Sequence, residues 1–224
     1  VVKDEAVAEV VARRQEYTAL PAHPVLVMEN VANAPPDGAY LLTLYPGGAG
    51  PHHVDWFWQP ESLAKRPDDA LVLFDRADLP IVSGDEWRVE THQTGGGSPI
   101  NETGQASIVT FKIPFFWAMS LIVAKYIARG DSGTVHRMMD LITRTLGEIN
   151  DALSGKPRAE STDTALISNV DVASASDQFA MLDRLVKAAC RMEKPIEAVG
   201  GSIPSDGIRQ IKRFFELTIQ MAAS

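Results

Sequence analysis

Cysteine is almost missing: the 224-residue chain holds one, Cys190. A lone thiol cannot close an internal disulfide, so disulfide-framed folds and cysteine-rich zinc sites are both excluded. A positive charge excess is missing too. With 21 Lys and Arg against 29 Asp and Glu, the net charge is -8, opposite to the footprint of a dedicated nucleic-acid binder. A cationic or neutral small molecule is the expected partner, and nucleic acid is not. The strongest apolar run, residues 113–127, carries Lys125 and falls short of the ~20 residues of a membrane span. No membrane partner is therefore expected. Lys3, Asp4 and Glu5 stand where a secretory leader would be apolar, so the expected location is the cytoplasm. The glycines at 95–97 precede no Gly-Lys-Ser/Thr and form no Gly-x-Gly-x-x-Gly after a strand, which excludes the Walker and dinucleotide loops. Nowhere do two carboxylates stand two residues apart. What is present is 45% apolar and 22% charged, the composition of a globular chain with one large or two small domains.

The first half reads as α plus β. Residues 4–17 form a helix candidate, with Glu5 and Glu9 early, Arg13 and Arg14 late, and Val7, Val10, Val11 and Tyr17 near helical spacing. Four short apolar runs follow at 25–28, 39–45, 53–58 and 70–74, each bounded by Pro, Gly, Asn or Asp as strands are. Short connections between them predict an antiparallel or mixed sheet, and the Pro- and Gly-rich stretch 46–51 predicts a hairpin turn. Residues 83–112, with Gly95, Gly96, Gly97, Ser98 and Pro99 at their centre, read as a linker. Beyond them the period becomes helical. Pro114 fits a first turn of a helix ending at Gly130, Asp131 or Ser132 caps a second up to Gly155, and 177–194 and 205–221 give a third and a fourth. Residues 156–176 read as an irregular loop. The fold class is therefore α+β: a small sheet domain over 1–82, the linker, and an all-α bundle over 113–224.

Asp55 is the strongest candidate for chemistry. On a strand, Val54, Trp56 and Trp58 share one face while His53, Asp55 and Phe57 share the other. A carboxylate among aromatics needs solvent, an arginine, another cation or a bound metal. His52 and His53 point to opposite faces, so only His53 can share an ion with Asp55, and two ligands are too few for zinc. Lys125 and Arg129 lie four apart on one helix, a repulsion relieved by an anion such as phosphate or by Asp131 as counter-charge.

The segments Val54-Asp55-Trp56-Phe57-Trp58-Gln59-Pro60, Val72-Leu73-Phe74-Asp75-Arg76, Phe116-Trp117-Ala118-Met119 and Lys125-Tyr126-Ile127-Ala128-Arg129-Gly130-Asp131, in this order, resemble the nucleotidyltransferase superfamily of the DNA polymerase β type. The likeness is to its bacterial aminoglycoside and lincosamide nucleotidyltransferase-like members, and it spans nearly the whole chain. It implies a nucleotidyltransferase-like sheet domain followed by a helical bundle. It also implies transfer of a nucleoside monophosphate from a Mg2+-bound triphosphate, ATP being the expected one, to a hydroxyl of a small acceptor such as an aminoglycoside-like antibiotic. Such reactions rest on positioning and on neutralising charge with metal ions and Lys or Arg. By this resemblance Asp55 falls on the third family carboxylate, a metal ligand or a base on the acceptor hydroxyl. Lys125, with Arg129 beside it, meets the triphosphate, and Asp75 is structural.

The family's Gly-Ser and Asp-x-Asp ligands have no counterpart here: Gly97-Ser98 and Gly201-Ser202 stand in the wrong context. Val1-Val2-Lys3-Asp4 resembles the exit of the strand that carries Asp-x-Asp, which places that motif upstream of Val1. The alternative is a non-catalytic, degenerate or truncated module of the same fold, its sheet edge closed by a partner subunit or by a second copy in a homodimer.

Overall fold

The structure is a computed structural model describing residues 1–30, 33–73, 75–84, 105–155 and 174–222. It is mixed α+β, with a small three-stranded antiparallel sheet and helices after it. The chain divides into two units, Val1–Tyr45 with His53–Asn101, and Pro46–His52 with Glu102–Ser224.

In the first unit the helix expected over 4–17 is a turn of 3-10 helix followed by α1 (Val7–Ala12) and α2 (Arg14–Thr18), broken at Arg13. Three of the expected runs form the sheet: β1 (Leu26–Glu29), β2 (Ala39–Tyr45) and β3 (His52–Trp58), in the order β1-β2-β3. Leu26 pairs with Leu44 and Met28 with Leu42 in antiparallel register. The central strand β2 is buried along its whole length, which is why its sequence is nearly all apolar rather than alternating. One face carries Ala39, Leu41 and Trp58 against Val10, Val11 and Tyr17 of the N-terminal helices. Burying one such large side chain stabilises by roughly 1.5–3 kcal/mol. On that face Trp56 and Trp58 stack, centroids 5.9 Å apart, and Trp56 Nε1 donates to Thr43 Oγ1 at 2.9 Å.

The fourth expected strand, residues 70–74, is a correction. Residues 70–73 pair with nothing in a ladder, and Leu71 and Leu73 are 90% and 85% exposed. Apolar composition makes a strand only where a neighbouring backbone and a core accept it. The pairing here is instead parallel, between β4 (Arg66–Pro67) and β5 (Ile81–Val82). Asp75 fastens the loop between them by accepting the N–H groups of Ala77 at 3.0 Å and Leu79 at 3.1 Å, and these bonds hold its carboxyl below the usual range.

In the second unit α3 (Gln105–Arg129) begins before the expected bundle boundary at 113, so 105–112, read as the end of the linker, are helical. Pro114 lies inside this helix and not in its first turn. A proline there forfeits a hydrogen bond, but Val109, Ile113, Phe116 and Trp117 are buried around it, and their packing outweighs the local defect. By length and composition, Ile108–Arg129 is long and apolar enough to cross a membrane, and 56% of its apolar window is buried inside the structure. The glycine-rich part of the linker, 94–103, lies outside the described residues. Asp131 caps α4 (Ser132–Leu153) by accepting from the Thr134 N–H at 3.0 Å. Ser174 and Asp177 form a reciprocal cap for α5 (Ala175–Arg191). Most of the loop read over 156–176 also lies outside the described residues. Helix α5 ends at Arg191, and Pro195 sits in the short α6 (Glu193–Ala198) that precedes α7 (Ser205–Ala222). Helix α3 packs against α4, α5 and α7, and α5 against α4 and α7, which is the expected bundle.

Gly50, in the turn between β2 and β3, has φ 121, and a Cβ there would lie 2.7 Å from Phe214 Cβ. Gly50→Ala combines dihedral strain with overpacking and is expected to cost about 1–3 kcal/mol. Urea denaturation checks this, and an unchanged midpoint would mean the turn does not pack against Phe214.

Candidate functional site

The hairpin builds the neighbourhood of Asp55. Alternation along β3 sets His53, Asp55 and Phe57 on one face, opposite the tryptophans. Tyr40, near the start of β2, is 5% exposed and packs on Phe57 with ring centroids 5.0 Å apart. Its hydroxyl donates to Asp55 Oδ1 at 2.5 Å. His53 Nε2 lies 3.0 Å from the same oxygen. Burial first, and then the adjacent Asp55 carboxylate, push the Tyr40 phenol far above its ordinary range, so it remains a donor at working pH.

The Asp55 side chain is 42% exposed. Of the alternatives open to it, the strand position it takes faces solvent, with a phenol and an imidazole among its partners. Tyr40 was missed by sequence reasoning because it lies 15 residues away. The available signal was the hairpin: closing β2 and β3 on their shared turn returns the start of β2 to the later half of β3.

Asp55 belongs to the first unit, Lys125 and Arg129 to the second. These cations sit one turn apart near the end of α3, Lys125 half-buried and Arg129 exposed, with the Arg129 guanidinium 5.9 Å from the Tyr126 ring centroid. Cations at a helix C-terminus also meet its negative dipole end. Asp131, expected as their counter-charge, is committed to capping α4, and the Thr134 N–H holds its carboxyl below the usual range.

Among the described residues no group of three or more His, Cys, Asp and Glu could hold a metal ion. Asp55 offers one carboxylate. One carboxylate with phosphate oxygens and water suits a single magnesium ion, whereas the described residues assemble no two-ion site. The first unit also contains an open cleft of about 600 Å³ whose lining includes Val2, Lys3, Glu61, Arg66 and Asp75. Within it Lys3 pairs with Glu61 and Arg66 with Asp75, and Asp75 also accepts the Ala77 and Leu79 N–H groups of the loop. No protein-family model, no curated protein and no solved structure matches the chain.

Proposed function

We propose that this chain is a nucleotidyltransferase of the DNA polymerase β type, moving a nucleoside monophosphate from Mg2+-ATP to a hydroxyl of a small molecule of the aminoglycoside kind. The observation that carries the reading is Asp55: a solvent-accessible carboxylate on a sheet strand, held at one oxygen by Tyr40 and His53. Its place within Val54-Asp55-Trp56-Phe57-Trp58 and the order of sheet unit then helical unit support it. Asp55 orients the acceptor hydroxyl and takes its proton as the new bond to the α-phosphorus forms and pyrophosphate leaves. Asp55 is the residue that would hold magnesium bound with the nucleotide, and the ion would supply charge neutralisation. The net charge of -8 suits a polycationic acceptor.

The test is incubation of the full-length protein with ATP labelled on its α-phosphate and a panel of hydroxylated polyamines. The expected result is label on an acceptor, abolished by a chelator. The reading fails if no acceptor is labelled and Mg2+-ATP does not bind. The second reading, a binding module of this fold without turnover, is favoured by the lack of a three-donor metal group among the described residues. It predicts binding of the nucleotide or of a second copy, with no labelled product.

A further inference from the structure

We propose that the exposed segment Leu71-Val72-Leu73 is a self-association surface, on which a second copy of this chain pairs antiparallel about Val72. The surface is independent of the role of Asp55. Its residues have strand chemistry without a sheet. Leu71 and Leu73 are the two most exposed large apolar side chains among the described residues, while Val72 between them lines the cleft beside Val2 and Leu79. That alternation is the pattern of an extended strand, and no hydrogen bond joins the backbone of these three residues to another described residue. Apolar side chains and backbone N–H and C=O groups are thus presented together at the surface, the condition in which a segment pairs with another chain.

The flanking charges select the partner. Counting outward from Val72, Leu71 is matched by Leu73, Asp68 by Arg76, and Arg66 by Asp78. In a two-fold pair each residue of one copy meets its counterpart on the other. An antiparallel register centred on Val72 therefore sets leucine on leucine and opposite charges across the contact. The one like-charged match, Asp69 with Asp75, opposes this little, because the Asp75 side chain is 19% exposed, accepts the Ala77 and Leu79 N–H groups and pairs with Arg66. A surface made for an unrelated protein has no reason to be complementary to itself about its own apolar centre. The contact is small, so the dimer is weak and forms only as concentration rises.

The experiment is sedimentation velocity of the full-length chain over a wide concentration range, for wild type and for Leu71→Ser combined with Leu73→Ser. Mild oxidation of Val72→Cys in a Cys190→Ser background reads the register. The expected result is a wild type that passes from monomer to dimer and a serine variant that stays monomeric with an unchanged melting temperature, since it alters exposed side chains. Val72→Cys is expected to form a disulfide-linked dimer faster than Leu20→Cys, which is more exposed but lies outside the segment. A wild type that is monomeric throughout overturns the proposal and leaves the segment to a different protein or to solvent. A dimer that persists in the serine variant overturns it by placing the contact elsewhere. If the serine variant does not fold, the cross-link decides: faster dimer formation in Val72→Cys than in Leu20→Cys supports the register, and equal rates refute it.

Discussion

Asp55→Asn is expected to lower the proposed nucleotidyl transfer by about 10²–10⁴-fold, the range ordinarily contributed by a positioned acid or base, while leaving the protein folded. The amide has the size and shape of the carboxylate, and its oxygen can still accept from the Tyr40 hydroxyl. What is lost is the negative charge and the capacity to receive a proton. With the side chain 42% exposed, the variant buries no new unsatisfied group, so stability should move by no more than the few tenths of a kcal/mol usual for surface changes. Steady-state transfer assays with a thermal melt on the same samples separate the two effects. Transfer at the wild-type rate in a folded Asp55→Asn protein would remove Asp55 from the chemistry.

Gly38→Ala should be the most destabilising of the small substitutions considered. Gly38 closes a turn in which its N–H donates to the Pro35 carbonyl at 3.0 Å and Asp37 adopts φ 53, a conformation that Asp tolerates better than most residues. A Cβ on Gly38 would stand 2.1 Å from the Trp58 carbonyl oxygen and 2.8 Å from Pro35 Cγ. Neither neighbour can rotate aside: one is backbone and the other a proline ring. Trp58 is anchored in the core with Ala39 and Leu41, so relief requires prising the start of β2 from the end of β3. A cost of about 3–5 kcal/mol, in the upper tail for point substitutions, is a large share of a typical ~5–15 kcal/mol of total stability. The readout is the chemical denaturation midpoint. An alanine variant as stable as the parent would mean the two strands are not in this close approach.

The sheet was legible because β1, β2 and β3 are apolar runs bracketed by turn formers, and alternation along β3 sorted Asp55 from the tryptophans. The bundle was legible because its apolar residues recur at helical spacing. The failures share a cause: local pattern loses to long-range context. Leu71 and Leu73 look like strand residues, but they pair with no strand among the described residues. The pairing of Arg66–Pro67 with Ile81–Val82 involves two residues on each side, one of them proline, and carries no propensity signal. Pro114 marked a helix start by its usual preference, and burial of Val109 and Ile113 extended the helix upstream. At the site, Asp55 was visible as a residue type out of place among aromatics. Its support by Tyr40 was not, because that contact exists only once the hairpin closes.

The stacked indoles of Trp56 and Trp58, 12° from parallel, have an optical consequence. Two chromophores at this separation couple their excited states, so the pair should give a paired positive and negative band in circular dichroism that single indoles do not. Trp117, buried in the helical unit beside Phe116, lies outside that pair. The sheet thus carries its own spectroscopic reporter, read as the difference between wild type and Trp56→Phe, because the coupled band falls in the far ultraviolet where the helices of the bundle also contribute.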